Sequence, residues 1–379
     1  MRLTPAQQAA LDHVTARGAA PPDGDIDVPG LTALVATYAR VTLNFHPDRL
    51  LPDGRSVAQG LAADGVYRGQ FETGVSNGSV SAHLGGGRYV WEQRLFGGAY
   101  DRAPAAQRPR YGALDLHGYP DGASPRFGSC HLRLRPSVTR RCTFTLGDSH
   151  LGPAAVGTLD ALGAVLAGLI ERAQATGSTL GAAGVDAVEL LTGLPGRTSR
   201  VTPDVAPGRC LDDYIEAQVH GEVVLARDVE ALVLDPSLRD GEVGAVLVEL
   251  ARVSGIPVEW HCGFELTADD FDDEFRGPHV PPLARAVARG HAGPRGVIDA
   301  AVVGRAAASA VRDPQRWERF GTPAEMLQYV KHLWHTLVHC GRPAPVGERA
   351  PVGERAPLGE GAPMAVRPAA VRPARASPI

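Results

Sequence analysis

Imidazole and carboxylate side chains occur close together at two places in the chain, and such groups can bind a metal ion or transfer protons. His46 and Asp48 are two residues apart, and Asp148 and His150 have the same spacing. Three more histidines recur at helical spacing: His332, His335 and His339. No HxHxDH-type spacing accompanies these residues, so we predict no resident metal. A metal-dependent hydrolase using His46, Asp48 and His150 stays as an alternative.

A second group of polar side chains alternates with apolar ones over residues 214–220. Residues i and i+2 lie on the same face of a strand. Glu216 and Gln218 would therefore share one face with Tyr214 and His220, while the apolar residues between them face the core. That polar face is either part of a binding site or a solvated surface.

The glycine-rich segment over residues 66–78 offers groups that suit a nucleotide-like ligand. The flat ring of Tyr67 can stack on a planar ligand, with Tyr89 and Tyr100 as alternatives. Arg68, and Arg49 earlier in the chain, can match phosphate oxygens with their guanidinium groups. Two further candidates, which also suit a simple turn, close the segment: Ser76 and Asn77.

The common nucleotide, zinc-protease and serine-hydrolase motifs are absent from the sequence. A glycine run at residues 85–87 precedes a segment, residues 89–91, that we predict as a strand. We therefore expect a β-turn there and no phosphate-binding helix N-terminus.

Helical and strand patterns follow one another along the chain and predict an α+β fold. The predicted helices cover residues 6–16, 31–40, 57–63, 154–175, 243–253, 282–289 and 323–340. The predicted strands cover residues 41–46, 89–91, 111–116, 127–134, 141–146, 214–220, 229–234 and 256–261. The helix over residues 243–253 lies between two strands, which predicts locally parallel pairing.

Composition limits the partners and the compartment. The 379 residues carry a formal charge of −4, so no global positive field attracts nucleic acid or anionic lipid. The five cysteines form no close pair, which is typical of a reducing compartment, and we expect a cytoplasmic protein. Asp160 interrupts the most apolar stretch, so we predict neither a membrane span nor a cleaved signal peptide.

Several sequence blocks between roughly residues 35 and 265 resemble an uncharacterised bacterial family known only as a domain of unknown function. The blocks are residues 45–49, 70–74, 96–100, 110–114, 127–130 and 259–264. This resemblance implies no activity by itself.

The order of the parts also resembles, more distantly, the ADP-ribosyltransferase superfamily. A histidine closes an early strand, a polar loop follows, and a carboxylate lies on a late strand. The resemblance implies a split mixed β-sheet core with flanking helices, NAD as the substrate, and transfer of ADP-ribose to an unknown acceptor or to water. It implies catalytic roles for Glu216, His46 and Tyr67. The residues it implies for binding NAD are Arg49, Arg68, Ser76, Asn77 and Gln218.

Those implied roles agree with the chemistry of breaking the nicotinamide–ribose bond. The transition state resembles an oxocarbenium cation, which the carboxylate of Glu216 would stabilise. His46 would bind a ribose hydroxyl, and Tyr67 would stack on nicotinamide. Arginine-modifying members carry Glu or Gln two residues before this carboxylate; Tyr214 stands there instead, which leaves the acceptor open.

Four regions follow from these patterns. We predict N-terminal helices over residues 1–40, an ADP-ribosyltransferase-like domain over residues 41–275 and a helical C-terminal cover over residues 276–340. A six-residue repeat with Pro and Gly in each copy begins at Ala344, so we expect a disordered tail over residues 341–379. A non-catalytic binding protein that presents this tail is a further alternative.

Overall fold

The structure is a computed structural model that describes residues 2–18, 26–75, 82–196 and 211–344. Its strands are β1 Arg40–Phe45, β2 Val66–Tyr67, β3 Arg110–Asp115, β4 Cys130–Leu134, β5 Cys142–Leu146, β6 Val156–Thr158, β7 Ser178–Thr179, β8 Ala182–Ala183, β9 Ile215–Val219, β10 Val223–Val224, β11 Val229–Leu234, β12 Val258–Trp260, β13 Leu266–Thr267 and β14 Val297–Ile298. Its helices are α1 Pro5–Gly18, α2 Val28–Tyr38, α3 Val57–Asp64, α4 Gln70–Thr73, α5 Gly87–Leu95, α6 Pro136–Thr139, α7 Gly163–Thr176, α8 Ala187–Thr192, α9 Leu225–Asp228, α10 Glu242–Ser254, α11 Val280–His291, α12 Ala300–Arg312 and α13 Pro323–Cys340.

Eight strands form one mixed sheet in the order β12-β11-β4-β1-β3-β9-β5-β6. β11 and β12 run parallel through the crossover helix α10, as the pattern predicted, and the other neighbouring strands are antiparallel. The predicted α+β class is confirmed. The strands expected in a split core are joined here in a single eight-stranded sheet.

One face of the sheet builds the main apolar core, and the other face at β9 is polar but buried. Ile215, Ala217 and Val219 lie in the main core with 0 % exposure. Glu216 and Gln218 are 5 % and 0 % exposed on the opposite face. A solvated polar face, one of the two interpretations of this strand, is therefore wrong.

A second apolar core lies in the C-terminal part of the chain. It is built largely by α11, α12 and α13, which enclose Leu283, Val303 and Trp334. We call residues 276–340 the helical cover. Trp334 joins the cover to the 3-10 helix that precedes β4, because its indole Nε1 donates to the carbonyl oxygen of Pro125 at 2.8 Å.

Local signals explain where several helices begin and end. Ser56 and Gln59 form a capping box at the start of α3, and Gly65 ends it in the left-handed conformation at φ 64°. Thr322 and Glu325 form the same box at the start of α13. Within the described residues, no helix is long and apolar enough to cross a bilayer.

Some predictions of local structure are wrong. Residues 89–91 are not a strand, because they lie in α5, whose buried residues Arg88, Trp91, Glu92 and Leu95 follow helical spacing. The glycine run therefore does precede a helix, with Gly86 as its N-cap. The predicted helix over residues 154–175 begins only at Gly163, since residues 156–158 form β6. The tail from residue 345 onward lies outside the described residues.

Candidate functional site

A cavity of about 300 Å³ lies beside the C-terminal end of β1, at the middle of the main sheet. Strands β1, β3 and β9 contribute Asn44, Arg110 and Glu216 to its walls. The chain from α3 to α4 covers one side, and α5 contributes Arg88 and Trp91.

The structure brings most of the predicted site residues to this one cavity. The residues that line it are His46, Tyr67, Glu216, Arg49 and Arg68. Gln218 is completely buried behind Glu216 and contacts it directly. Ser76 and Asn77 lie outside the described residues, although Val75, just before them, lines the cavity.

The three residues of the hydrolase alternative do not all line this cavity. His46 and His150 line the cavity. The carboxylate of Asp48 instead lies against α12, where a side chain at Gly304 would have its Cβ 1.2 Å from Asp48 Oδ2. Among the described residues, no group of three or more His, Cys, Asp or Glu side chains is arranged to hold a metal ion.

Glu216 is held at both oxygens on the central strand β9. Its Oε1 accepts from Gln218 Nε2 at 2.8 Å, and its Oε2 accepts from the backbone N–H of Ser149 at 3.3 Å. Burial, together with the charge of Asp148, raises the pKa of Glu216 to about 7. Glu216 therefore changes charge near neutral pH.

Asp148 is a second carboxylate close to Glu216 in the cavity, and it pairs with His150. Asp148 Oδ1 lies 2.6 Å from His150 Nδ1. Burial works to raise the pKa of Asp148, but the hydrogen bond and charge of His150 outweigh it and hold the pKa below its usual value. The cavity thus has one carboxyl group that stays ionised beside one that titrates near neutrality.

A chain of buried hydrogen bonds fixes the amide of Gln218. Thr143 Oγ1 donates to Gln218 Oε1 at 2.7 Å, so the amide NH₂ points to Glu216. Behind it, His220 Nε2 lies 3.1 Å from Thr143 Oγ1, and its Nδ1 lies 2.5 Å from Tyr100 Oη. Burial lowers the pKa of His220 to about 3, so this chain is neutral. Gln218, predicted to bind a cofactor, positions Glu216 in this structure.

Cations and aromatic rings alternate along the α5 wall. The Arg88 guanidinium carbon lies 4.4 Å from the Trp91 ring centroid and 4.4 Å from that of Tyr111. Tyr111 donates to Glu92 Oε1 at 2.6 Å, and Arg108 pairs with the other oxygen of Glu92. This packing holds the planar guanidinium of Arg88 next to Glu216. The charge of Arg88 lowers the pKa of Glu216, but the opposite effect of burial is larger.

His46 and Tyr67 lie on other walls of the cavity. Burial, with the nearby charge of Arg49, lowers the pKa of His46 to about 3, so the imidazole is neutral. Its ring meets the edge of Trp334 with centroids 5.1 Å apart. Tyr67 packs edge-on against Phe45, and its carbonyl oxygen accepts from Arg110 Nε at 3.2 Å.

Several arginines at the cavity are already paired with acids. Arg110 contacts Glu72 at 2.8 Å and Arg68 contacts Asp64 at 2.9 Å. Arg55 contacts Asp53 at 2.6 Å. These pairs leave the mouth of the cavity close to charge balance.

Three residues that shape the cavity were not assigned to it from the sequence: Arg88, Trp91 and Tyr111. The signal for the first two is present, because the spacing of Arg88, Trp91 and Leu95 is helical and would have placed both on one buried face. The role of Asp148 beside Glu216 depends on the pairing of β5 with β9, which local sequence does not encode.

One protein family model matches most of the chain. Residues 40–340 match the family model described as protein of unknown function DUF3626. The chain belongs to the DUF3626 family. The resemblance to an uncharacterised domain family is thereby confirmed, and the match to DUF3626 extends through the helical cover to α13. A search of curated proteins finds no match. The likeness to ADP-ribosyltransferases is not confirmed by these findings and stays a prediction.

Proposed function

We propose that this chain cleaves the nicotinamide–ribose bond of NAD and transfers ADP-ribose to an acceptor or to water. The observation that carries the proposal is the pair of carboxylates, Glu216 and Asp148, in a cavity that also has the neutral imidazole of His46 and the ring of Tyr67. Carboxylates stabilise an oxocarbenium-like transition state. The neutral imidazole adds no opposing charge.

The size and walls of the cavity support a specific placement of the ligand. Ligand cavities run from about 300 to about 1,000 Å³, so a cavity of about 300 Å³ suits the nicotinamide and its ribose alone. Tyr67 would stack on nicotinamide and His46 would bind a ribose hydroxyl. Arg49 would bind the diphosphate at the mouth, together with Arg68, which would exchange its contact with Asp64 for one with a phosphate oxygen.

The reaction balances with the groups present. The bond from ribose C1′ to the nicotinamide nitrogen breaks, and its electron pair leaves with neutral nicotinamide. Glu216, in its ionised form, stabilises the positive charge at C1′. The acceptor then bonds to C1′, and its proton passes to the Asp148–His150 pair and on to solvent. We place this activity in the cytoplasm.

The acceptor is left open by the residues at the site. Tyr214 stands two positions before Glu216, but it is 1 % exposed and packs edge-on against Phe127. A protein side chain and water are both compatible with the mouth of the cavity, so the assay must follow both products.

Nicotinamide release from labelled NAD tests the proposal. We expect release by the wild-type chain and a loss of about a hundredfold or more in Glu216→Gln. Glu171→Gln is the matched control, because Glu171 is exposed on α7 away from the cavity. Equal release by wild type and Glu216→Gln, or no release with water or with added proteins as acceptors, would contradict the proposal.

A further inference from the structure

A second cavity, of about 510 Å³, lies in the helical cover between α11, α13 and the 3-10 helix Pro314–Phe320. Three arginines line it: Arg285, Arg289 and Arg319. The remaining walls are mainly aromatic, from His279, Phe320 and Tyr329. Among the described residues of this lining there is no carboxylate.

Within the part of the chain that the structure describes, the arginines of this second cavity form no ion pair with an acid. Arg285 and Arg289 are one turn apart on α11, so both project from the same face. Arg319 packs over the Phe320 ring, with its guanidinium carbon 4.7 Å from the centroid. Across the described ranges, no carboxylate lies within ion-pair distance of any of the three.

Glu325, the acid at the start of α13, is engaged by its own helix. Glu325 is close in sequence, but its Oε2 accepts from both the backbone N–H and the hydroxyl of Thr322 at the start of α13. The helical cover has nine basic and four acidic residues, a formal charge of +5, in a chain of −4. A positive potential is therefore concentrated on this unit.

The aromatic walls add a flat apolar surface. His279 and Tyr329 stack with centroids 4.2 Å apart. Burial lowers the pKa of His279, and its Nε2 lies 2.8 Å from His332 Nδ1, so it contributes a neutral ring beside the charged arginines. Cations that match phosphate oxygens next to planar rings suit a ligand with both a phosphate and a planar base.

We propose that the cavity of the helical cover binds a nucleoside diphosphate. Arg285 and Arg289 bind the phosphates from the α11 face, with Arg319 opposite, and the base lies against Tyr329 and Phe320. This site is separate from the cavity beside Glu216 and does not depend on cleavage of NAD.

Calorimetric titration of the full chain with ADP tests this site. We expect ADP to bind the wild type and to bind the double variant Arg285→Gln/Arg289→Gln at least roughly tenfold more weakly. Arg295→Gln/Arg312→Gln is the matched control. It removes two exposed arginines from the same unit, neither of which lines the cavity, and we expect wild-type affinity.

Two further titrations define the ligand. We expect adenosine and pyrophosphate each to bind at least roughly tenfold more weakly than ADP. ADP binding that is absent, or that is the same in both double variants, would overturn the proposal. Adenosine or pyrophosphate binding as tightly as ADP would also overturn it. Nicotinamide release by Glu216 variants is measured in a separate assay. A negative result for the nucleoside diphosphate site therefore does not decide whether the chain cleaves NAD, and the reverse also holds.

Discussion

The two cavities of this chain differ in whether their arginines contact carboxylates. Beside Glu216, Arg110, Arg68 and Arg55 each contact a carboxylate within 3 Å. In the helical cover, the arginines at the cavity have no such partner among the described residues. The first cavity has paired arginines and also the carboxylates of Glu216 and Asp148, which suits a substrate whose reacting part becomes positive. A cavity lined by unpaired arginines suits an anion.

The largest expected effect concerns the buried ion pair behind Tyr111, on the α5 side of the cavity beside Glu216. Glu92 is 1 % exposed and pairs with Arg108, which is 4 % exposed. Glu92→Gln leaves a buried guanidinium without its counter-charge, so we expect a loss of roughly 3–5 kcal/mol in unfolding free energy. Urea denaturation measures it.

The control for that change is an exposed pair of the same type. Glu249 contacts Arg252 at 2.6 Å on the surface of α10. Glu249→Gln should leave the denaturation midpoint unchanged, because water screens the pair. If the two variants lose the same stability, burial of the Glu92 pair is not what stabilises the α5 wall.

The next effect tests the second carboxylate. Asp148→Asn should lower nicotinamide release about a hundredfold, since it removes the ionised partner of His150. It should also move the midpoint of the pH–rate profile to lower pH, because the charge of Asp148 helps to raise the pKa of Glu216. Asp160→Asn, at an exposed position, is the control. An unchanged midpoint would show that the charge of Asp148 does not affect the pKa of Glu216.

A stability measurement tests the ionisation of Glu216 without any substrate. With a folded pKa of about 7 against an ordinary value of 4.5, the folded chain keeps a proton that the unfolded chain releases. Stability of the wild type should therefore fall as pH rises between these values and level off above about pH 7.

The variant Glu216→Gln lacks that titration. From about pH 5 to about pH 8, the unfolding free energy of the variant should gain roughly 1–3 kcal/mol relative to wild type. Parallel pH curves for the two proteins would show that Glu216 ionises in the folded chain as it does in water.

The smallest effect concerns the ring of Tyr67. Tyr67→Leu removes the stacking surface and should raise the KM for NAD by roughly three- to tenfold. Tyr67→Phe keeps the ring and should leave KM and kcat unchanged. A larger loss in Tyr67→Phe than in Tyr67→Leu would assign the role to the hydroxyl and not to the ring.

Local signals in the sequence predicted much of the fold. The capping box at Ser56, the left-handed Gly65 and the box at Thr322 define α3 and the start of α13, and the alternation around Glu216 defines β9. Residues 89–91 have β-type side chains, but the helical spacing of Arg88, Trp91 and Leu95 governs the structure. Burial on one face outweighs intrinsic strand propensity there.

The candidate site depended on contacts that no local pattern contains. The pairing of Thr145 with Glu216, and of Leu146 with Ile215, carries the loop after β5 to Glu216, so that Ser149 N–H donates to it. Gln218 was placed on the correct face of β9, but its amide is held by Thr143 from the neighbouring strand. Sequence alternation predicts a face, whereas strand register decides which side chains meet on it.

The pH dependence of nicotinamide release shows most directly whether the Glu216 carboxylate drives cleavage. Wild-type release should rise with pH through a midpoint at about 7, because the ionised form of Glu216 is the active one. Release by Glu216→Gln should be low and flat across the same range. A wild-type profile without that rise, or a variant that matches the wild type at every pH, would show that the Glu216 carboxylate does not drive cleavage.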